Sequence, residues 1–230
     1  MRKLYHFSIC PFSRKVRLAL AEKMQEVELV LERFWDRRPE FLSQNPLAQV
    51  PVLVDKVPKD ATGSNEFTIA DSNAICEYLD DQYPERPLMG ETPRAKAEVR
   101  RLVGWFEGKL YSDVTVPILS EKIFKRLTRQ GSPEPLRIRQ AHDAIHFHME
   151  YIGWLSEQRN WLAGDAFSIA DIAAAAQLSS LDYFGDVPWE HHPAAKEWYA
   201  RIKSRPSFRP LLTDRVGGMS PPSYYANLDF

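Results

Sequence analysis

The chain has 230 residues, with 30 basic side chains against 31 acidic ones and a formal net charge of −1 at pH 7. This balance excludes a generally basic protein and removes the electrostatic basis for unspecific binding to nucleic acid. Two cysteines cannot build a disulfide framework, and no apolar run approaches the roughly 18 residues of a membrane span. We therefore expect a folded cytoplasmic protein of one or two domains.

The first eighty or so residues alternate between strand and helix patterns. The predicted elements are, in order, a strand at 3–7, a helix at 13–24, strand 27–33, helix 39–43 and strands 51–54 and 67–70. Asp71, Ser72 and Asn73 then supply N-cap residues for a helix that ends near Tyr83. The order β-α-β-α-β-β-α predicts a compact α/β domain over residues 1–83.

Residues 84–93 hold three prolines and a glycine and are predicted to be a linker. Beyond it the apolar spacing is helical throughout, which predicts an all-helical domain over residues 94–203. Pro117 is expected to kink or break the first long helix. Ser168 and Asp171 form a capping-box pattern before an alanine-rich helix, which we expect to be central and tightly surrounded.

The remaining residues, 204–230, are a proline-rich tail that argues against a long terminal helix. This tail carries more aromatic and aliphatic side chains than a solvated linker needs. We therefore expect it to pack on the body of the protein or on a partner.

Cys10 lies at the predicted turn between the first strand and the first helix, in the motif Cys10-Pro-Phe-Ser13. The positive end of the helix dipole favours a thiolate, as do Arg14 and Lys15, so a lowered pKa is expected for Cys10. Because a serine replaces the second thiol of a C-x-x-C motif, only mixed disulfides can form. Cys10 is therefore a candidate nucleophile, with an unreactive small residue at a turn as the alternative.

Two positions at strand ends are candidates for ligand binding. A cis bond before Pro51 would expose the N–H and C=O of Val50 to an extended ligand. The hydroxyl and N–H of Ser72 would bind a carboxylate, whereas Asp71 and Ser72 acting only as a helix cap is the simpler alternative.

One helix face carries His142, His146 and Glu150 at a spacing that suits metal binding. No second cluster matches them, so a polar helix face is the preferred explanation and no metal site is expected. His191 and His192 are interpreted in the same way.

Four motifs follow one another along the chain: Cys10-Pro-Phe-Ser13, Gln49-Val-Pro-Val52, Asp71-Ser-Asn-Ala-Ile75 and Phe167-Ser-Ile-Ala-Asp171. Their order and spacing resemble those of the cytosolic glutathione transferase superfamily. The resemblance implies a thioredoxin-like N-terminal domain, an all-helical C-terminal domain, a homodimer and a cis bond before Pro51.

The same resemblance places Cys10 at the position of the activating serine or cysteine. Glutathione would be a ligand or co-substrate rather than a required cofactor. It would lie against Phe12, Gln49, Val50, Pro51, Asp71 and Ser72.

The segments 34–41, 203–212 and 225–230 are similar to the FtsZ-localized protein A group, glutathione-transferase-like proteins of bacterial cell division. This narrower resemblance implies a dimeric adaptor at the division site that binds FtsZ filaments and septal wall-synthesis proteins, with little or no transferase activity. A glutathione S-transferase or thiol transferase that uses Cys10 is the alternative. The chain departs from the group at Asn227, where an acidic residue is expected. The partner-binding candidates are Trp35, Tyr224, Tyr225, Asn227, Leu228, Asp229 and Phe230.

Overall fold

The computed structural model describes residues 1–56 and 65–228. The chain divides into two compact units, Met1–Pro87 and Leu88–Phe230. The first unit is a mixed sheet with helices and the second is helical, so the predicted fold class is confirmed.

The first unit contains a four-stranded sheet with the strand order β2-β1-β3-β4. Strand β1 is parallel to β2 and antiparallel to β3, which in turn is antiparallel to β4. A 3₁₀ turn over Phe34–Asp36 follows β2. The elements are β1 (Lys3–His6), α1 (Pro11–Glu22), β2 (Glu28–Leu31), α2 (Pro39–Leu42), β3 (Val52–Lys56), β4 (Glu66–Ala70) and α3 (Ser72–Gln82).

These elements agree in kind and order with the sequence predictions, and their bounds differ by a few residues. Helix α1 begins at Pro11 rather than Ser13, because proline is well suited to the first position of a helix, where its missing N–H has no partner to lose. Strand β2 is shorter than predicted and lies at the edge of the sheet, with most of its residues exposed. Strand β3 is central, and Val52 to Asp55 are buried along it.

The strand register brings three chain segments to one edge of this sheet. Tyr5, near the end of β1, pairs with Val52 at the start of β3, and Val52 pairs on its other side with Ala70 at the end of β4. Three features therefore lie next to neighbouring strand ends. The turn that contains Cys10 follows β1, the bond before Pro51 precedes β3, and the start of α3 follows β4.

The second unit contains helices and, among its described residues, no strand; two isolated bridges join Trp161 to Gly164 and Val216 to Met219. Further 3₁₀ turns cover Trp189–His191 and Ser223–Ala226. The helices are α4 (Pro93–Gly104), α5 (Val116–Leu119), α6 (Lys125–Leu127), α7 (Pro135–Gln158), α8 (Ile169–Asp182), α9 (Pro193–Lys203) and α10 (Arg209–Leu212).

The helix does not break at Pro117, whereas the kink expected as the other possibility stays a prediction. Helical turns continue from Pro93 to Leu127, and the α-helical pieces are joined by π-helical turns over Trp105–Thr115 and Ser120–Phe124. A π turn is wider than an α turn. The π-helical stretch before Pro117 therefore accommodates a residue that lacks a backbone N–H and carries a bulky ring.

Helix α8 is the central helix that its alanine content predicted, since every one of its residues is buried. Ser168 and Asp171 form the predicted capping box. Asp171 is fully buried and accepts hydrogen bonds from Leu162 N–H at 2.9 Å, Trp198 Nε1 at 3.0 Å, and Ser168 N–H and Oγ, each at 3.1 Å. One carboxylate thus joins the start of α8 to the preceding turn and to α9.

No helix within residues 1–56 and 65–228 is long and apolar enough to cross a bilayer.

Candidate functional site

A cavity of about 290 Å³ lies within the first unit, close to the lower bound of about 300 Å³ for small-molecule sites. All six residues that the resemblance assigns to glutathione binding line this cavity, although they come from three separate stretches of the chain. The lining residues are Phe12, Asn45, Leu47, Gln49, Val50, Pro51, Ala70, Asp71 and Ser72.

Asn45 and Leu47 line the cavity and were not among the predicted site residues. Asn45 is buried; its Nδ2 donates to the Gln49 carbonyl at 2.8 Å, and its Oδ1 accepts from Leu47 N–H at 3.2 Å. These bonds close the loop that presents Gln49. An asparagine directly before a proline is a turn signal that could have identified this role.

The bond between Val50 and Pro51 is cis, as the resemblance implied. Within the described ranges, Val50 N–H has no hydrogen-bond partner, so it is left for a ligand at the cavity. The Val50 carbonyl instead accepts the thiol of Cys10 at 3.8 Å. A carbonyl oxygen has two lone pairs, so this contact leaves one of them for a further donor, and the expectation that a ligand meets both backbone groups of Val50 stays a prediction.

Asp71 is the N-cap residue of α3 and accepts from Asn73 N–H at 2.7 Å and Ala74 N–H at 3.0 Å through Oδ1. It remains exposed, with a positive φ of 78° that aspartate and asparagine tolerate better than most residues. Ser72 is buried, and its Oγ lies 3.4 Å from Lys15 Nζ. Asp71 therefore caps α3 and also lines the cavity, together with Ser72.

Cys10 occupies the N-cap position of α1, yet it is buried. Burial raises the pKa of the Cys10 thiol above its ordinary value, and the hydrogen bonds from Ser13 and from Phe12 N–H only partly oppose this. Arg14 Nε donates to Ser8 carbonyl at 2.8 Å, and Lys15 Nζ to Asn73 Oδ1 at 2.6 Å. The expected lowering of the Cys10 pKa is therefore wrong, because desolvation of a thiolate outweighs the helix dipole.

The raised pKa predicts slow alkylation of Cys10. In a Cys76→Ala background, which leaves Cys10 as the single thiol, we expect iodoacetamide to react more than tenfold slower at neutral pH than in the urea-unfolded protein. The rate should climb only as the pH passes above the ordinary range of a free thiol, about 8.5. Equal rates in the folded and unfolded chain at neutral pH would contradict the burial argument.

Trp35, a partner-binding candidate, lies in the 3₁₀ turn after β2 and is half-buried. Its ring centroid is 5.1 Å from that of Phe7 and 5.2 Å from that of Phe34. The guanidinium of Arg33 lies 5.6 Å from the Trp35 ring. The packing orients the indole and leaves part of it accessible.

The tail residues differ in their accessibility. Tyr224 and Leu228 are half-buried and Asn227 is exposed, whereas Tyr225 is fully buried in the second unit. The prediction that Tyr225 contacts a partner is corrected, because this ring is covered by its own chain. Asp229 and Phe230, also predicted partner contacts, lie outside the described residues.

The histidines of α7 contact neighbouring elements. His142 Nε2 lies 2.7 Å from Asp186 Oδ1, and His146 Nδ1 lies 2.9 Å from His192 Nε2. Across residues 1–56 and 65–228 no group of three or more histidine, cysteine or acidic side chains is arranged to hold a metal ion.

Comparisons with known proteins agree with this geometry. The family model for the glutathione S-transferase N-terminal domain matches residues 4–87, and the model for the C-terminal domain matches residues 149–206. FtsZ-localized protein A of Caulobacter vibrioides is 45% identical over 229 residues, covering 100% of this chain and 98% of the relative. Glutathione S-transferase 2 of Saccharomyces cerevisiae is 32% identical, over 92% of this chain and 90% of the relative.

Solved structures show the same relationship. A glutathione S-transferase from Rhodospirillum rubrum F11 superposes with a TM-score of 0.93 and 51% identity over 100% of both chains. FzlA from C. crescentus superposes with a TM-score of 0.94 and 45% identity, covering 100% of this chain and 99% of the other. With a ligand-sized cavity at the expected sheet edge and this similarity over the full length, the chain belongs to the glutathione S-transferase family.

Proposed function

We propose that this protein is a glutathione-transferase-like adaptor of bacterial cell division, which binds FtsZ filaments and septal wall-synthesis proteins as a homodimer in the cytoplasm at the division site. The observation that carries the proposal is the 45% identity to FtsZ-localized protein A, because it extends over the whole chain, including the C-terminal tail. Similarity confined to the transferase fold would support only the fold.

The environment of Cys10 supports an adaptor over a thiol transferase. A thiol transferase needs an accessible thiolate that attacks a disulfide. Cys10 is buried, its pKa is raised by that burial, and its thiol donates to the Val50 carbonyl. We therefore expect Cys10→Ser to bind partners as the wild type does.

The cavity in the first unit favours glutathione as a retained ligand. The six residues predicted to contact glutathione line one cavity, where Val50 offers a backbone N–H and Asp71 an acidic side chain. A ligand site without an activated thiol is compatible with an adaptor that binds glutathione and turns it over slowly or not at all. Transferase activity that uses glutathione's own thiol is the second candidate function.

Removal of the last four residues tests the adaptor proposal most directly. A chain that ends at Ala226 keeps the buried Tyr225 and loses Asn227, Leu228, Asp229 and Phe230. We expect it to fold normally and to lose at least tenfold in affinity for FtsZ, since a few apolar and aromatic anchors usually carry most of the binding energy. Co-sedimentation with GTP-polymerised FtsZ at increasing filament concentration measures this affinity.

Leu136→Ser is a matched control, because it removes an exposed leucine from α7, far along the chain from the tail. This variant should pellet with FtsZ as the wild type does. A folded wild-type protein that stays in the supernatant at micromolar FtsZ would refute the adaptor proposal, and full binding by the shortened chain would exclude the last four residues as the contact.

A further inference from the structure

A buried ion pair connects two helices of the second unit. Lys203, the last residue of α9, and Asp182, the last residue of α8, both have 0% exposure, and Lys203 Nζ lies 3.9 Å from Asp182 Oδ2. Trp189 Nε1 donates to Asp182 Oδ1 at 2.8 Å. Burial lowers the pKa of Lys203 to about 8, because the charged ammonium is removed from water at this place.

Such a pair adds little net stability, because removing both ions from water offsets most of their mutual attraction. Replacing both charges by neutral groups of similar size is often harmless, whereas removing one partner leaves an uncompensated buried charge. A buried pair is better suited to fixing the position of the segments that it touches.

The segment that this pair touches is the C-terminal tail. Lys203 Nζ lies 3.5 Å from the Tyr224 carbonyl oxygen, to which it donates, and 5.8 Å from the centroid of the Tyr225 ring. The Tyr225 ring packs edge-on against that of Tyr183 with centroids 5.4 Å apart, and its hydroxyl donates to the Leu211 carbonyl at 3.4 Å. The cation and the aromatic ring thus hold consecutive residues of the tail.

A second group of contacts holds the tail a few residues earlier. The Tyr183 hydroxyl accepts from Val216 N–H at 2.9 Å and donates to the Met219 carbonyl at 3.0 Å. Arg126 Nη1 donates to the Gly218 carbonyl at 3.2 Å, and Gly218 has a positive φ of 77°. These contacts therefore fix the turn at Gly217 and Gly218, which lies a few residues before Tyr225 in the chain.

We propose that Lys203, Asp182 and Tyr225 form a latch whose role is to position the C-terminal tail, so that Asn227 and Leu228 are presented to a protein partner from a docked segment. These three are positioning residues, since Tyr225 and the ion pair are buried and do not meet the partner. The inference rests on the proposed function for the identity of the partner, FtsZ, and on the contacts above for the latch itself.

The double variant Asp182→Asn/Lys203→Met tests the latch, because it removes both charges and keeps an oxygen for the Trp189 indole. We expect its melting temperature to stay within about 2 °C of the wild type, because net stability does not depend on the pair. Trypsin should cut after Arg215, an exposed residue within the tail, at least tenfold faster. Affinity for FtsZ filaments should fall at least fivefold.

The single variant Lys203→Met separates positioning from stability. It leaves Asp182 buried without its cation and should lower the melting temperature clearly, whereas the double variant should recover that temperature without recovering the slow cleavage at Arg215. Lys196→Met, on the same helix, is the matched control and should leave both cleavage and binding unchanged.

Three results would overturn the latch: unchanged cleavage at Arg215 in the double variant, a double variant as unstable as the single one, or full FtsZ affinity despite a released tail. If the wild-type protein does not bind FtsZ at all, the proposed function fails. The cleavage and melting measurements then still decide whether the ion pair holds the tail.

Discussion

Asp171→Ala is expected to destabilise the protein by about 4 kcal/mol, enough to unfold much of a marginally stable helical unit. The reason is the burial of this carboxylate together with four donors from Leu162, Ser168 and Trp198, all of which lose their acceptor. Each buried donor that is left without a partner costs about 1–3 kcal/mol. Urea unfolding followed by far-UV circular dichroism measures the loss.

Two variants control for this result. Asp165→Ala removes an exposed carboxylate from the turn before α8 and should change the free energy of unfolding by less than about 0.5 kcal/mol. Asp171→Asn keeps one acceptor oxygen and should have an intermediate effect. An unfolding midpoint for Asp171→Ala equal to that of the wild type would show that the capping box and the contact to α9 contribute nothing to stability.

Asp71→Asn is expected to weaken glutathione binding at least tenfold while leaving the fold intact. Asparagine caps a helix as well as aspartate does and tolerates the positive φ at this position, so α3 should form normally. What is lost is a negative charge at the cavity, where it would pair with the ammonium of the γ-glutamyl group. A charge-assisted hydrogen bond contributes about 1.5–3 kcal/mol, which corresponds to a tenfold or larger change in affinity.

Isothermal titration calorimetry with reduced glutathione measures the affinity, and thermal unfolding measures the fold. Asp81→Asn, which removes an exposed charge from the last turn of the same helix, should bind as the wild type does. Equal affinity of Asp71→Asn and the wild type would mean that Asp71 is a helix cap and nothing more. A wild-type protein that shows no heat of binding at millimolar glutathione would exclude the ligand.

Much of the fold was predictable because its signals are local. Period-two and helical spacing identified the strands and helices of the first unit, and cap residues at Asp71 and Ser168 marked two helix starts. Pro117 shows the limit of such rules, because a local rule predicts a break and cannot anticipate that neighbouring turns widen into a π-helix.

The residues around the cavity could be named from the sequence, whereas their burial and the pKa of Cys10 could not. Phe12, Gln49 to Pro51, and Asp71 to Ser72, which the resemblance assigns to glutathione binding, line one cavity. Asn45 was missed as a site residue because its role is to close a loop through Gln49 and Leu47, and that role depends on the loop's conformation.

The sequence by itself therefore determined the fold class, the order of the elements and the caps, since these depend on contacts between residues a few positions apart. Only the tertiary structure decided which side chains are buried and how burial changes the pKa of a group such as the Cys10 thiol. Cys10 has a raised pKa because it is buried, and its thiol contacts the carbonyl of Val50, 40 positions away. Tyr225 is buried, and its ring contacts Tyr183 and Lys203. Burial depends on residues that are distant along the chain. At Cys10 its effect on the pKa is larger than that of the helix dipole, and at Tyr225 it could not be anticipated from the apolar pattern of the tail.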